Sequence, residues 1–201
     1  MKLYRIILVD DEEEVRKSII RKIKWEENGF LVAGDAENGE DALEKIEALE
    51  PDLILTDIRM PYMDGLTLAE RVRQKYPSMK IVIFSGYDDF EYAKQAIKLN
   101  VTEYILKPVN VEELTAILQK IKANLDQEIE QKRNVNLLRE NYIKSLPILR
   151  EQFLNELVNA PIAYETVQTR LKEYGISLSS AQKWVAAAVG IDRPEEEREG
   201  E

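Results

Sequence analysis

Three short apolar runs, each ending on a polar side chain, constrain this chain most. Ile6-Ile7-Leu8-Val9 leads into Asp10-Asp11, Leu53-Ile54-Leu55-Thr56 into Asp57, and Ile81-Val82-Ile83-Phe84 into Ser85. Runs this short and continuously apolar have the pattern of strands buried on both faces, although the runs alone also suit pieces of helix. Segments with helical spacing separate them. Val15, Ile19, Ile20 and Ile23 mark a first helix ending before Asn28-Gly29. Ala42, Leu43 and Ile46 mark a second, stopped by Pro51, and Leu68, Ala69 and Val72 a third, ended by Pro77. Leu31-Val32-Ala33 reads as a short second strand, and Tyr104-Ile105-Leu106 as a fifth, ended by Lys107-Pro108. Glu37-Asn38-Gly39 and Met60–Gly65 read as turns. Asp88 or Asp89 would cap a fourth helix through Ile97, closed by Asn100, a residue that tolerates the left-handed conformation. Leu114, Ile117, Leu118 and Ile121 carry a fifth helix from near Val111. Strands and helices alternating at these lengths give an α/β fold, a parallel sheet with helices on both faces.

In open sheets of this kind ligands bind at the carboxyl ends of the strands. Asp10, Asp11, Asp57 and Ser85 are therefore expected at one edge, around an acidic pocket. The run Asp10-Asp11-Glu12-Glu13-Glu14 has two compatible readings: a solvated loop whose carboxylates suit a helix N-terminus, and a cation site made by its first two members. Clustered carboxylates without a counter-ion raise at least one pKa, and a divalent ion relieves this. The chain has no cysteine and no histidine. Any bound metal is then a hard, oxygen-liganded ion such as magnesium or calcium, and few carboxylates plus water and phosphate oxygens suit Mg2+. Lys107 adds a cation fitted to a phosphoryl oxygen, and Ser85 a hydroxyl donor. Taken singly, Lys107 also reads as a solvated residue before a turn proline, and Ser85 as an ordinary loop cap. Together the groups suggest aspartyl-phosphate chemistry, with an Asp oxygen attacking phosphorus while Lys107 and Ser85 balance charge. The sequence has no Gly-rich phosphate cradle with a lysine, so a small acyl phosphate or another protein's phosphoryl group is the expected donor rather than ATP.

The 201 residues suffice for one full domain and part of a second. A formal net charge of -10 argues against non-specific nucleic-acid binding by these residues. Met1-Lys2-Leu3-Tyr4-Arg5 runs straight into a strand without a signal-peptide layout, and no apolar run reaches transmembrane length, so a cytoplasmic location without membrane contact is expected.

In combination, Asp10-Asp11, Asp57, Ser85-Gly86 and Lys107-Pro108, each after its strand, resemble the receiver domain of bacterial two-component response regulators over about Leu3 to Asn124. The resemblance implies a doubly wound, flavodoxin-like five-stranded parallel sheet of order 2-1-3-4-5. It implies that Asp57 is the phosphoacceptor and a sensor histidine kinase the donor. Asp11, Asp57 and the carbonyl of Arg59 would ligate Mg2+, with Asp10 helping through water. Lys107 would contact the phosphoryl group. Ser85 and Tyr104 would form the switch pair, Ser85 drawn toward the phosphate and Tyr104 turning inward. It also implies a cis Lys107–Pro108 bond, and gives Arg59 and Tyr87 a flanking place at the pocket. The fourth and fifth helices and the fifth strand, with Asp89, Lys94 and Lys98 nearby, would form the output and dimer face.

Val111 to Leu146 contains no proline or glycine, a span too long for a terminal receiver helix alone. One helix is expected through Leu125 and Ile129, then Val135, Leu138 and Tyr142, with its apolar spacing broken at Gln131–Asn134, so an irregular helical pair fits better than an ideal coiled coil. Pro147 would kink or end it. Leu149, Phe153, Leu157 and Val158 resume the spacing, Asn159-Ala160-Pro161 is a break, and Tyr164 to Tyr174 is helical with Gly175 as its stop. Trp184–Gly190 reads as a strand, followed by an acidic tail. The expected layout is a receiver in residues 1–124, a helical linker in 125–147 and the start of a truncated middle domain in 148–201. That second part resembles the middle region of larger AraC-type response regulators, which continue into a paired helix-turn-helix domain. DNA binding would then belong to that absent domain, and the 201 residues would bind no nucleic acid. A homodimer would form through the receiver face, the linker helix or both.

Other readings are a stand-alone receiver adaptor acting through protein contacts, a Mg2+-dependent phosphatase with an aspartyl-phosphate intermediate, and a flavodoxin-like cofactor binder. The phosphatase would usually carry a second acid two residues past its nucleophile, where this chain has Arg59. The clustered acids would repel the phosphate of a cofactor.

Overall fold

The computed structural model describes residues 3–86 and 90–177. Five strands, β1 (Tyr4–Val9), β2 (Phe30–Ala36), β3 (Leu53–Asp57), β4 (Lys80–Ser85) and β5 (Glu103–Leu106), form one parallel sheet of order β2-β1-β3-β4-β5. The helices α1 (Glu13–Lys22), α2 (Gly39–Leu49), α3 (Gly65–Lys75), α4 (Phe90–Lys98) and α5 (Val111–Asn159) alternate with them. This is the flavodoxin-like, doubly wound fold and strand order expected. The expected helix cap at Asp88 or Asp89, the flanking place of Tyr87, the Trp184–Gly190 strand and the acidic tail lie outside the described residues.

Side chains of a strand alternate between its two faces, so each strand feeds two cores. On one face Ile6, Leu8, Leu53, Leu55, Val82, Phe84 and Ile105 pack with Ile19 and Ile23, next to Leu114, Leu118, Ile121 and Leu125 of α5. On the other, Ile7, Val9, Ile54, Ile81 and Ile83 pack with Ala42 and Ile46 of α2 and Leu68, Ala69 and Val72 of α3. Ile6, Ile7, Leu8, Val9, Leu53 and Ile54 are all fully buried, as central strands covered on both sides must be.

Three local features differ from the sequence expectations. β2 extends to Ala36 instead of stopping at Ala33. Gly34 and Asp35 break the apolar pattern but keep pairing with Ile7 and Leu8 across a register shift. The cap of α1 is Glu12, and it makes no side-chain cap hydrogen bond. Asn38, read as a turn residue, caps α2: its Oδ1 accepts from the N–H groups of Glu40 and Asp41 at 2.9 and 3.0 Å. Asn100 has a φ of 54°, in the left-handed region, as expected.

The chain divides into two compact units, Met1–Gln131 and Lys132–Glu201. Within the first, α5 remains tied to the amino edge of the sheet past Leu125. The Tyr4 hydroxyl donates to Asp126 Oδ1 at 2.6 Å, and Lys80 pairs with Glu128 at 2.5 Å. Pro147 lies inside α5 without ending it, and the helix stops at Asn159, next to the expected break. In the second unit α6 (Tyr164–Glu173) packs on the last turns of α5 around the buried Phe153 and Leu171. Phe153 meets the Tyr174 ring edge-on at 5.7 Å, and Arg150 Nε donates to the Tyr174 carbonyl at 2.7 Å. Gly175 follows with a φ of 61°, a left-handed position that favours glycine and closes the helix as read.

Asn38 is buried and serves two N–H groups at once, so Asn38→Ala should destabilise the fold by about 1 kcal/mol. Urea unfolding with an unchanged slope is the check.

Candidate phosphoryl and cation site

Strand register brings the polar ends together. Val9 pairs with Thr56, Asp57 with Phe84, and Ser85 with Leu106, so Asp10, Asp57, Ser85 and Lys107 reach the same level of the sheet. The two-residue period then sorts them by face. Asp10 continues the row Ile6, Leu8; Asp57 continues Leu53, Leu55; Lys107 follows Ile105. All three extend the face covered by α1 and α5. Ser85 continues the opposite row, after Ile81 and Ile83, and Tyr104 packs on that same face.

The contacts follow this placement. Lys107 Nζ lies 2.8 Å from Asp10 Oδ2 and 3.2 Å from Asp57 Oδ2, with the Phe84 ring 4.9 Å beneath it. Asp10 Oδ1 accepts the Glu12 N–H at 2.8 Å, and Asp57 Oδ1 accepts the Ile58 N–H at 2.8 Å. Asp10 and Asp57 are buried, whereas Asp11 is exposed at the mouth of the site. One carboxylate oxygen from each of the three lies within 4.8 Å of the others. The bond between Lys107 and Pro108 is cis.

Burial pushes the Asp57 carboxyl above its ordinary range, and Asp10 adds to this. The Lys107 ammonium and the Ile58 N–H oppose the shift without cancelling it. Burial alone would lower the pKa of Lys107, but its hydrogen bond to Asp10 and the charges of Asp57 and Asp10 outweigh it and raise the value. Lys107 therefore stays a cation, facing more negative charge than it can balance. An all-oxygen set at this spacing can coordinate a divalent cation, and the missing positive charge is what such an ion brings.

Of the other expected residues, Ser85 is buried at the end of β4 and its carbonyl accepts the Lys107 N–H at 2.7 Å. Tyr104 is half-buried, and its hydroxyl is buried without a hydrogen-bond partner among the described residues. Arg59, two residues after Asp57, has its guanidinium 5.7 Å from the centre of the Tyr92 ring.

Two further residues contribute to the site. Gly65 opens α3 against β3, where a Cβ would collide with the Asp57 carbonyl, so only glycine allows this approach. Arg16 is buried and donates to the Asp10 carbonyl from Nη1 at 2.6 Å and to Asp35 Oδ2 from Nε at 2.7 Å. A signal for it does exist: Arg16 falls three residues before Ile19 and seven before Ile23, on the apolar stripe of α1.

Comparison with known proteins agrees with this geometry. A family model for the response regulator receiver domain matches residues 6–119. The transcriptional regulatory protein YesN of Bacillus subtilis, itself described as uncharacterized, is 37% identical over 158 residues, 78% of this chain and 42% of that protein. HptR, a transcriptional regulatory protein of Staphylococcus aureus, is 29% identical over 94% of this chain and 77% of its own length. The receiver domain of AraT, a response regulator from Geobacillus stearothermophilus, superposes with a TM-score of 0.60 at 39% identity, covering 63% of this chain and 98% of that structure. A two-component transcriptional regulator AraC from Clostridium phytofermentans gives 0.58 at 35% identity, covering 62% and 96%. The chain thus spans less than two thirds of the length of the first curated relatives it matches, 42% and 45% for two of them. Among the described residues no helix is long and apolar enough to cross a membrane.

The raised Asp57 pKa fixes the sign of a pH effect. Below the ordinary carboxyl range Asp57 is protonated whether the chain is folded or not. As pH rises through the raised native value, ionising it costs folding stability. Asp57→Asn should therefore be more stable than the parent at neutral pH without divalent cations, the difference vanishing toward about pH 3. Urea unfolding across that range is the measurement.

Proposed function

Since the chain belongs to the response regulator receiver domain family and carries the acidic cluster typical of its phosphorylation site, we propose that Asp57 accepts the phosphoryl group, with Mg2+ as the cation. The observation that carries this reading is the convergence of Asp10, Asp11, Asp57 and Lys107 on one point of the carboxyl edge. A carboxylate oxygen of Asp57 attacks phosphorus; an O–P bond forms as the donor's bond to phosphorus breaks and the leaving group departs with the electron pair. Asp10, Asp11, Asp57 and the Arg59 carbonyl would hold Mg2+, which supplies positive charge to the phosphoryl oxygens. Lys107 exchanges part of its carboxylate pairing for a phosphoryl oxygen.

Ser85 and Tyr104 serve as the switch pair. They share the sheet face opposite the carboxylate row, and the Tyr104 hydroxyl is buried without a hydrogen-bond partner among the described residues. An inward polar group without a partner is costly, so a rearrangement near Ser85 that offers one biases the Tyr104 rotamer.

The donor is a sensor histidine kinase. A hollow of about 570 Å³, bordered by Val15, Ile19, Lys22, Lys107, Pro108 and Leu114, opens beside the ammonium and leaves room there for a protein donor. The descriptions of YesN and HptR as transcriptional regulatory proteins support an output in transcription, with DNA contact made outside these 201 residues. The receiver occupies residues 1–124, a helical linker 125–147 and the start of a middle domain 148–201. Val135, Leu137, Leu138 and Ile143 stand exposed along α5, an apolar surface suited to self-association of the linker. A cytoplasmic location suits these roles.

Intact mass after incubation with acetyl phosphate and Mg2+ tests the reading. A labile gain of one phosphoryl group is expected, lost when Mg2+ is omitted and in Asp57→Asn. A gain that survives in Asp57→Asn would contradict it.

A further inference from the structure

Arg16 does more than its place in the helix requires. Its side chain is 11% exposed, on the inward side of α1, and its guanidinium spends two donors in different directions. Nη1 reaches the Asp10 carbonyl and Nε reaches Asp35 on β2, at 2.6 and 2.7 Å. Asp35 is itself fixed, since Lys45 Nζ donates to its carbonyl at 2.6 Å and pairs with Asp41 at 2.8 Å.

The Asp10 carbonyl needs an outside donor. Pairing of β1 ends at Val9, and α1 begins its own hydrogen bonding from the Glu12 carbonyl. The Asp10 N–H is held by the Ala36 carbonyl at 3.1 Å, but its C=O falls between strand and helix. Buried backbone acceptors of this kind are met by a side chain when no ladder reaches them.

We propose that Arg16 is a positioning residue for the cation site. By gripping the Asp10 carbonyl it fixes the peptide joining Asp10 to Asp11, and so sets the direction in which both carboxylates leave the backbone. The effect is greatest for Asp11. Asp10 has Lys107 and the Glu12 N–H to orient its carboxylate. Among the described residues Asp11 has no hydrogen bond or ion pair of its own, so its aim is inherited from the peptide Arg16 holds. The planar fork of a guanidinium is well matched to this role. One rigid group bridges β2 and the loop, whereas a lysine offers a single point charge on a flexible stem.

Charge and position predict opposite signs. Arg16 is a cation near a cation site, so by Coulomb's law alone its removal tightens metal binding. Loss of a group that orients a ligand from outside the coordination sphere weakens it, by roughly tenfold to a hundredfold. The inference rests on the reading of Asp10, Asp11 and Asp57 as a Mg2+ site, and the experiment separates the two.

Mg2+ is titrated by calorimetry into the full chain and into Arg16→Gln, Arg16→Lys and Asp35→Asn, with circular dichroism confirming that each is folded at the titration temperature. Arg16→Gln should raise the dissociation constant roughly tenfold, and Arg16→Lys should fall between it and the parent. Asp35→Asn keeps the guanidinium charge but loosens its anchor, and should weaken binding in the same direction by less. It also answers the question if Arg16→Gln does not fold. Parental binding with unchanged or tighter affinity in the folded variants overturns the positioning role alone. No binding by the parent overturns the cation-site reading, and the role of Arg16 with it.

Discussion

Negative charge is held at the carboxyl edge of a buried sheet by the Lys107 ammonium, and the rest of the structure depends on that arrangement. Asp10 and Asp57 are buried and share Lys107, while Asp11 waits at the mouth. Each buried carboxylate also has its own backbone donor, Glu12 N–H or Ile58 N–H. These donors lower the cost of burial without removing it, and the upward shift of Asp57 is the residue of that cost. A divalent cation would complete a charge balance that the protein leaves open, and would offset the further negative charge a phosphoryl group brings.

Such a site needs a rigid support, because displacing either carboxylate would let the pair relax into solvent. The support is a central strand pair, β1 and β3, with apolar side chains buried on both faces, and helices closing over it. Two close approaches refine it. Gly65 lets α3 press against the Asp57 carbonyl, and Arg16 ties α1 and β2 to the Asp10 carbonyl. Fold stability and site geometry therefore share the same residues. On the amino edge, Tyr4 and Lys80 carry the receiver's grip on α5 as far as Asp126 and Glu128.

Much of this is legible in the sequence for a simple physical reason. Buried parallel strands need unbroken apolar runs, and a polar residue ending such a run sits at the edge where ligands bind. Ile6–Val9, Leu53–Thr56 and Ile81–Phe84 therefore locate β1, β3 and β4 and point to Asp10, Asp57 and Ser85. Position along the chain does not say which polar ends meet; that follows from register and alternation, which place Lys107 beside Asp10 and Asp57 and leave Ser85 and Tyr104 on the other face. The length of β2 is hidden because Gly34 and Asp35 interrupt its apolar pattern while its hydrogen bonds to β1 continue. Gly65 is hidden because a glycine after Asp64 looks like a turn former, and only the approach of α3 to Asp57 reveals its use. Pro147 has less power than its chemistry suggests, for α5 runs on past it.

The charge arrangement predicts that the phosphoryl group resides on Asp57. Borohydride reduces an aspartyl phosphate to homoserine, marking the modified residue permanently. Reducing the chain after incubation with acetyl phosphate and Mg2+, then sequencing its peptides by mass spectrometry, locates the mark. Homoserine at position 57 is the predicted result. Homoserine at Asp10 or Asp11, with Asp57 unchanged, would contradict the assignment and give the attack to a different carboxylate of the same cluster.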